Sequence, residues 1–238
     1  MKKLTVFCAA ACLAASAAAQ NHPDLHEVLD RQKGRNLIEI PKGTYTLDVR
    51  SNGPYKFHNL TDVHINGNGS TVICNNQEQA FSFYNCVRVE LRDLTIDYDP
   101  LCFTQGEITA VAEDGSWFDV RIDEGYPVTG LAANRVQFYD PQTRLLKRNS
   151  ITTYTSNYSA LKQLGHNLFR AVKNGTWSAG EQVGDLVVMD VKTDKPNAGV
   201  HTVMLNKCYN TKLENVTVYG SNTFSFFEKE GYANEYRN

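Results

Sequence analysis

Phe57-His58-Asn59-Leu60-Thr61-Asp62-Val63-His64-Ile65-Asn66-Gly67 can be written directly above Phe83-Tyr84-Asn85-Cys86-Val87-Arg88-Val89-Glu90-Leu91-Arg92-Asp93, at an offset of 26 residues. Phe57 then meets Phe83, Asn59 meets Asn85, Val63 meets Val89 and Ile65 meets Leu91. A third copy, Cys208-Tyr209-Asn210-Thr211-Lys212-Leu213-Glu214-Asn215-Val216-Thr217-Val218, overlays Cys86 to Ile96 at an offset of 122. There Leu91 falls on Leu213, Asp93 on Asn215, Leu94 on Val216, Thr95 on Thr217 and Ile96 on Val218. Each copy alternates apolar and polar residues, the period of a half-buried strand, and places Asn, Asp or Gly at its corners. A repeat of about 20–30 residues built from short strands is the signature of a β-solenoid, in which each coil buries its inward residues against the next. The reading places Asn59/Asn85 and Cys86/Cys208 at one recurring inner corner.

Working outward, an offset of 122 exceeds one coil of about 24 residues by roughly 98, so another module lies between the second and third copies. Residues 99–200 lack the coil pattern and read as antiparallel hairpins. Glu107–Val111 turns at Glu113-Asp114-Gly115-Ser116 into Trp117–Ile122. Val136–Tyr139 turns at Asp140-Pro141-Gln142-Thr143 into Arg144-Leu145-Leu146. Leu168–Val172 and Asp185–Val191 read as further strands. Tyr154–Leu164 reads as a short helix. The expected fold is all-β: a right-handed parallel β-helix with an inserted small antiparallel β-barrel.

On the N-terminal side, His22-Pro23-Asp24-Leu25-His26-Glu27-Val28-Leu29 reads as a short helix start, with proline tolerated in its first turn, an acid suited to its dipole and Gly34 to end it. Asn36–Ile40 reads as a strand, and Pro41–Tyr45 as a turn into Thr46-Leu47. A small amphipathic helix there can cover the open end of the stack. At the other end, Thr223–Glu228 starts another coil and Asn234–Asn238 leads toward one more. With no polar cap in view, the expectation is the N-terminal part of a longer polypeptide. The expected organisation is a leader over 1–19, a cap and first coils over 20–98, the inserted module over 99–200 and resumed coils over 201–238.

The leader follows from Met1-Lys2-Lys3, the apolar run Leu4–Ala15 and Ala17-Ala18-Ala19 before Gln20, a bacterial-type secretory signal. The protein is therefore expected to be secreted or periplasmic. No stretch is long enough to span a membrane. Losing Lys2 and Lys3 leaves 22 of the 24 bases against 26 acids, a charge of −4. No basic run is present, which argues against nucleic acid and anionic membrane as partners. Outside the leader, Cys74, Cys86, Cys102 and Cys208 have no zinc spacing and read as buried thiols. His22 and His26 lie four apart in a segment better suited to capping than to metal binding. No metal and no cofactor are expected. The absence of GxSxG, P-loop and dinucleotide fingerprints argues against serine hydrolases, NTPases and Rossmann dehydrogenases.

The segments Ile40-Pro41-Lys42-Gly43-Thr44-Tyr45, Leu94-Thr95-Ile96-Asp97-Tyr98-Asp99-Pro100, Phe103-Thr104-Gln105-Gly106 and Asp123-Glu124-Gly125-Tyr126-Pro127 together resemble the pectin-lyase-like right-handed β-helices. They are most similar to glycoside hydrolase family 110, exo-acting α-galactosidases with an inserted barrel. The resemblance covers roughly residues 24–238 in layout. It implies inverting hydrolysis by carboxylates in coils beyond Asn238, so it transfers no catalytic residue to this chain.

Glycoside hydrolysis needs one carboxylic acid for the leaving oxygen and a second carboxylate for water or carbon. Asp97 and Asp99 sit at i and i+2 of a strand and can face one side, although a turn before Pro100 also suits an aspartate. Glu228 and Glu230 follow an apolar strand and can flank a groove, or can stand in a solvated loop. These four are the candidate substrate-binding residues. Trp117 and Trp177 read as core of the insertion, and Tyr154 and Tyr158 contact sugar only if their loop faces the groove. The expected function is an exported glycoside hydrolase acting on terminal α-galactosides or related glycans, with an oligo- or polysaccharide partner. The alternatives are a non-catalytic carbohydrate-binding module, an inactive truncated β-helix module and a polysaccharide lyase. The lyase would want a basic residue and clustered acidic calcium ligands, which the sequence does not show.

Overall fold

The computed structural model describes residues 22–238 apart from 149, 155–156, 192–200 and 222, and not the side chains of 133, 134 and 154. The leader over 1–19 lies outside the described residues. A six-residue helix, α1 (Leu25–Asp30), opens the described chain; the Asp24 side chain caps it by accepting from the His26 amide at 3.0 Å. Leu25 and Leu29 are fully buried in the core of the first coil. Each such leucine contributes about 1.5–3 kcal/mol. Asp24 bridges to Thr46 in parallel, so the helix lies across the first coil's end.

The coils follow as a parallel β-solenoid. One face stacks β1 (Leu37–Glu39), β4 (Thr61–Cys74), β6 (Val87–Tyr98), β15 (Lys212–Val218) and β17 (Glu235–Arg237), with β2 (Thr44–Leu47) joining on β4. A second face stacks β3 (Tyr55–His58), β5 (Phe81–Tyr84), β14 (Val203–Asn206) and β16 (Phe226–Lys229). The register is the sequence offset made physical. Phe57 pairs with Phe83, Val63 with Val89 and Ile65 with Leu91. Leu91 pairs with Leu213, Leu94 with Val216 and Ile96 with Val218. Phe57 and Phe83 stack at 4.8 Å between ring centroids. Alternation sends Phe81, Phe83, Leu91, Leu94 and Ile96 inward, where they are fully buried.

The corners correct one expectation. Cys86 and Cys208 are buried, but Asn59 and Asn85 are exposed, so the two pairs do not share an inner corner. Both asparagines hold left-handed backbone (φ 56° and 54°), which turns the side chain outward. There Asn85 Nδ2 donates to Asn59 Oδ1 at 2.8 Å, and Asn215 Nδ2 donates to Asp93 Oδ1 in the same way. Left-handed residues recur at Asp62, Arg88 and Asn210, one rung above another.

Between β6 and β14 runs a seven-stranded antiparallel sheet of β7 (Phe103–Val111), β8 (Trp117–Ile122), β9 (Leu131–Tyr139), β10 (Thr153–Tyr154), β11 (Tyr158–Gln163), β12 (Leu168–Lys173) and β13 (Leu186–Val191). Its order is β10-β9-β13-β7-β8-β12-β11, with no ladder among the described residues closing it into a barrel. The expected helix over Tyr154–Leu164 is instead β11, paired with β12 from Tyr158/Lys173 to Gln163/Phe169. The period-two burial of β12 offers a partner edge that local helix propensity cannot outweigh. Phe118, Phe138, Val187 and Met189 form a second apolar core inside this sheet.

Candidate functional site

An open cleft of about 420 Å³ lies where the antiparallel sheet meets the solenoid. Strand alternation builds its floor. On β9, Val136 and Phe138 point into the sheet core, which turns Arg135, Gln137 and Tyr139 to the opposite face. On β13, Val187 and Met189 are buried, leaving Leu186, Val188 and Asp190 to the cleft. β7 adds Phe103 and Gln105 by the same rule. The register lines these residues up: Val188 sits between Gln105 and Gln137, Leu186 pairs with Tyr139, and Asp190 pairs with Phe103. Asp123, Arg144, Cys102, Ser221 and Thr223 complete the walls.

The polar groups are partly fixed. Gln105 Nε2 donates to Asp123 Oδ2 at 3.0 Å, and Tyr139 OH donates to Gln137 Oε1 at 3.1 Å. The solenoid wall is held by hydroxyls: Tyr98 OH meets Thr202 Oγ1 at 3.0 Å, and Thr202 Oγ1 donates to Ser221 Oγ at 3.0 Å. Thr223 Oγ1 meets His201 Nδ1 at 2.8 Å. Cys102 donates to the Gly220 carbonyl, and burial pushes its thiol up to about 12, so it stays protonated and is no nucleophile at neutral pH.

Burial also raises Asp190 above the ordinary aspartate value of 3.8, with Arg135 opposing the shift. A carboxyl whose folded value exceeds its unfolded one favours the fold fully below the unfolded value and loses that advantage as pH rises through the folded value. Asp190→Asn should therefore raise the unfolding midpoint at pH 7 and leave it unchanged below pH 3.8. Thermal melts across that range check this; an unchanged midpoint at pH 7 would contradict the burial argument.

None of the four sequence candidates lines the cleft. Asp97 comes nearest: its Oδ1 accepts from the Tyr98 amide at 2.8 Å and lies behind the Gly220 segment of the wall. Asp99 is exposed and lies just beyond the end of β6, before Pro100. Glu228 is exposed and accepts from Asn234 Nδ2 at 2.9 Å and Tyr236 OH at 3.1 Å. Glu230 stands at a left-handed corner, 3.5 Å from Lys229. Trp117 stacks under the Arg170 guanidinium at 3.5 Å, and Trp177 packs on Tyr158; neither lines the cleft. Tyr158 is buried against Thr153, while the Tyr154 side chain lies outside the described residues.

The residues that do meet were only half visible in the sequence. Phe103, Gln105, Gly106 and Asp123 fall in segments quoted above for their family resemblance, but nothing there marked them as a site. Arg135, Gln137 and Asp190 carried an alternation signal alone. No family model matches the chain, and no curated protein matches it.

Proposed function

We propose that the cleft is a glycan site in an exported carbohydrate-active protein, and that the chain is part of a glycoside hydrolase acting on terminal α-galactosides or related glycans. One observation supports this most: the cleft combines two carboxylates, two guanidiniums and two carboxamides with the rings of Phe103 and Tyr139. Sugar hydroxyls need many directed hydrogen bonds, and sugar faces need aromatic or apolar surface. Asp190, whose burial favours the protonated form, suits delivery of a proton to a leaving oxygen; Asp123, oriented by Gln105, suits activation of water. The parallel β-solenoid is a scaffold for such chemistry without fixing it.

The test is direct. The purified protein should release nitrophenol from a chromogenic α-galactoside and bind a galacto-oligosaccharide by calorimetry. Asp123→Asn and Asp190→Asn should each lower release by about 100-fold or more, the scale of a lost acid or base. Binding without release would reduce the reading to a carbohydrate-binding module. Absence of both from folded protein would remove it.

A further inference from the structure

Two successive corners of the solenoid match residue by residue. Tyr84 of β5 pairs with Asn206 of β14 before the corner, and Val87 bridges to Tyr209 after it, both in parallel. Two residues lie between on each rung: Asn85 and Cys86 on one, Lys207 and Cys208 on the other. Asn85 and Lys207 share left-handed backbone (φ 54° and 55°), so the two corners bend alike. The Asn85 amide donates to the Asn206 carbonyl at 3.0 Å, and the Tyr209 amide to the Cys86 carbonyl at 2.9 Å, which keeps the rungs in step. Cys86 and Cys208 are thereby stacked one above the other, and both are fully buried.

Adjacent strands of a sheet lie about 4.7–4.9 Å apart, inside the roughly 4.4–6.8 Å between α-carbons that a disulfide spans. Both side chains turn into the same interior, and the two thiols meet there. The Cys208 thiol holds Cys86 below the ordinary thiol value of 9.0, with burial opposing, while Cys86 and burial push Cys208 above it. Both are thiols in this structure, Cys86 donating to the Phe57 carbonyl at 3.0 Å and Cys208 to the Asn206 carbonyl at 3.5 Å. The register puts Leu60 on the far side of Cys86 and Gly231 on the far side of Cys208, so the thiols face each other and no third one in the stack. Cys74 instead pairs with Tyr98, and Cys102 donates to the Gly220 carbonyl.

We propose that Cys86 and Cys208 are a crosslinking site, oxidised to a disulfide that bolts the coil of β5 and β6 to the coil of β14 and β15. The oxidant is itself a disulfide, either a small molecule or one carried by a protein catalyst. One cysteine thiolate attacks a sulfur of that disulfide, forming a mixed disulfide and expelling a thiolate. The second cysteine attacks the mixed disulfide, the Sγ–Sγ bond forms and a second thiolate leaves. Together the two cysteines lose two electrons and two protons, and the oxidant is released as two thiols. Full burial places this exchange during folding, before the later coil settles on the earlier one. The bond closes an offset of 122 residues and encircles the whole antiparallel sheet. Such a closure acts mainly by removing freedom from the unfolded chain, and more so for longer loops. Export, as proposed above, would bring the chain to disulfide oxidants. The crosslink is independent of what the cleft binds.

Refolding the full chain in a mixture of reduced and oxidised glutathione, then blocking with maleimide in denaturant and mapping peptides without reductant, tests this. A peptide pair linked through Cys86 and Cys208 should dominate, about 2 Da lighter than the two thiol peptides together. Refolding in a phosphine reductant instead should lower the thermal unfolding midpoint by about 5 °C or more. Cys86→Ala and Cys208→Ala should each give the same midpoint under the two redox conditions, which separates loss of the crosslink from loss of a packed side chain. Folded, glutathione-treated protein in which both cysteines take up maleimide, or in which either is linked to a different cysteine, would overturn the assignment. So would an unsubstituted chain whose midpoint is the same with and without reductant.

Discussion

Replacing Lys173 with methionine should destabilise the protein by about 3–5 kcal/mol, the cost of leaving one member of a buried ion pair without its partner. The side chains of Lys173 and Glu181 are both fully buried and are in contact. Lys173 Nζ also donates to the Trp177 carbonyl at 2.8 Å and lies 4.6 Å from the Trp177 ring centre. Glu181 Oε2 accepts from the Ala179 amide at 2.7 Å. The pair thus ties the end of β12 to the 177–181 loop, and methionine keeps the volume while stranding the carboxylate. The double variant Lys173→Met with Glu181→Leu should recover most of the loss, because two apolar groups can replace a buried pair at little cost. Denaturant midpoints of the four proteins check both statements. A single-variant loss below about 1 kcal/mol would mean that water reaches the pair.

Gly106→Ala should cost about 3 kcal/mol or more and distort the cleft as well, which places it among core overpacking defects. A β-carbon built there lies 2.7 Å from the Arg121 carbonyl carbon and 2.8 Å from the Ile122 α-carbon. Both obstacles are backbone, so no rotamer change relieves them. β7 is paired on both sides, with β8 and β13, and has little room to move away. Gly43→Ala is the control: its nearest neighbour is the Tyr45 ring at 3.6 Å, an ordinary contact. Denaturant unfolding of the two variants should separate them clearly. Because Gly106 lines the cleft, its variant should also lose ligand affinity even where it remains folded.

The solenoid was legible because its physics is local and repetitive. Identical corners force identical spacing, so an offset counted on paper reappears as the Leu91/Leu213 register. The outward turn of Asn59 and Asn85 was not legible, since alternation cannot reveal which residue has left-handed backbone. The cleft was harder still. Its floor depends on β9, β13 and β7 lying side by side, an order fixed by pairing between residues as far apart as Phe103 and Asp190. Asp190 and Arg135 approach only through that order. Asp97 and Glu228 attracted notice because acids near strand ends are conspicuous, yet each already serves a neighbour: the Tyr98 amide for one, Asn234 and Tyr236 for the other. The helix expected over Tyr154–Leu164 failed for the related reason that an available strand edge outranks local preference.

The hydrogen bond between Tyr98 and Thr202 joins residues 104 apart in sequence at the place where the chain departs from the stack and rejoins it. Departure and return therefore share one doorstep, and β14 and β15 settle on β5 and β6 with the same 122-residue spacing throughout. What hangs from that doorstep is free to vary in length and kind without disturbing the spiral beneath. A scaffold of this sort can exchange its ligand-facing appendage while keeping its own architecture, and the cleft wall carrying Ser221 and Thr223 is the seam any replacement would have to fit.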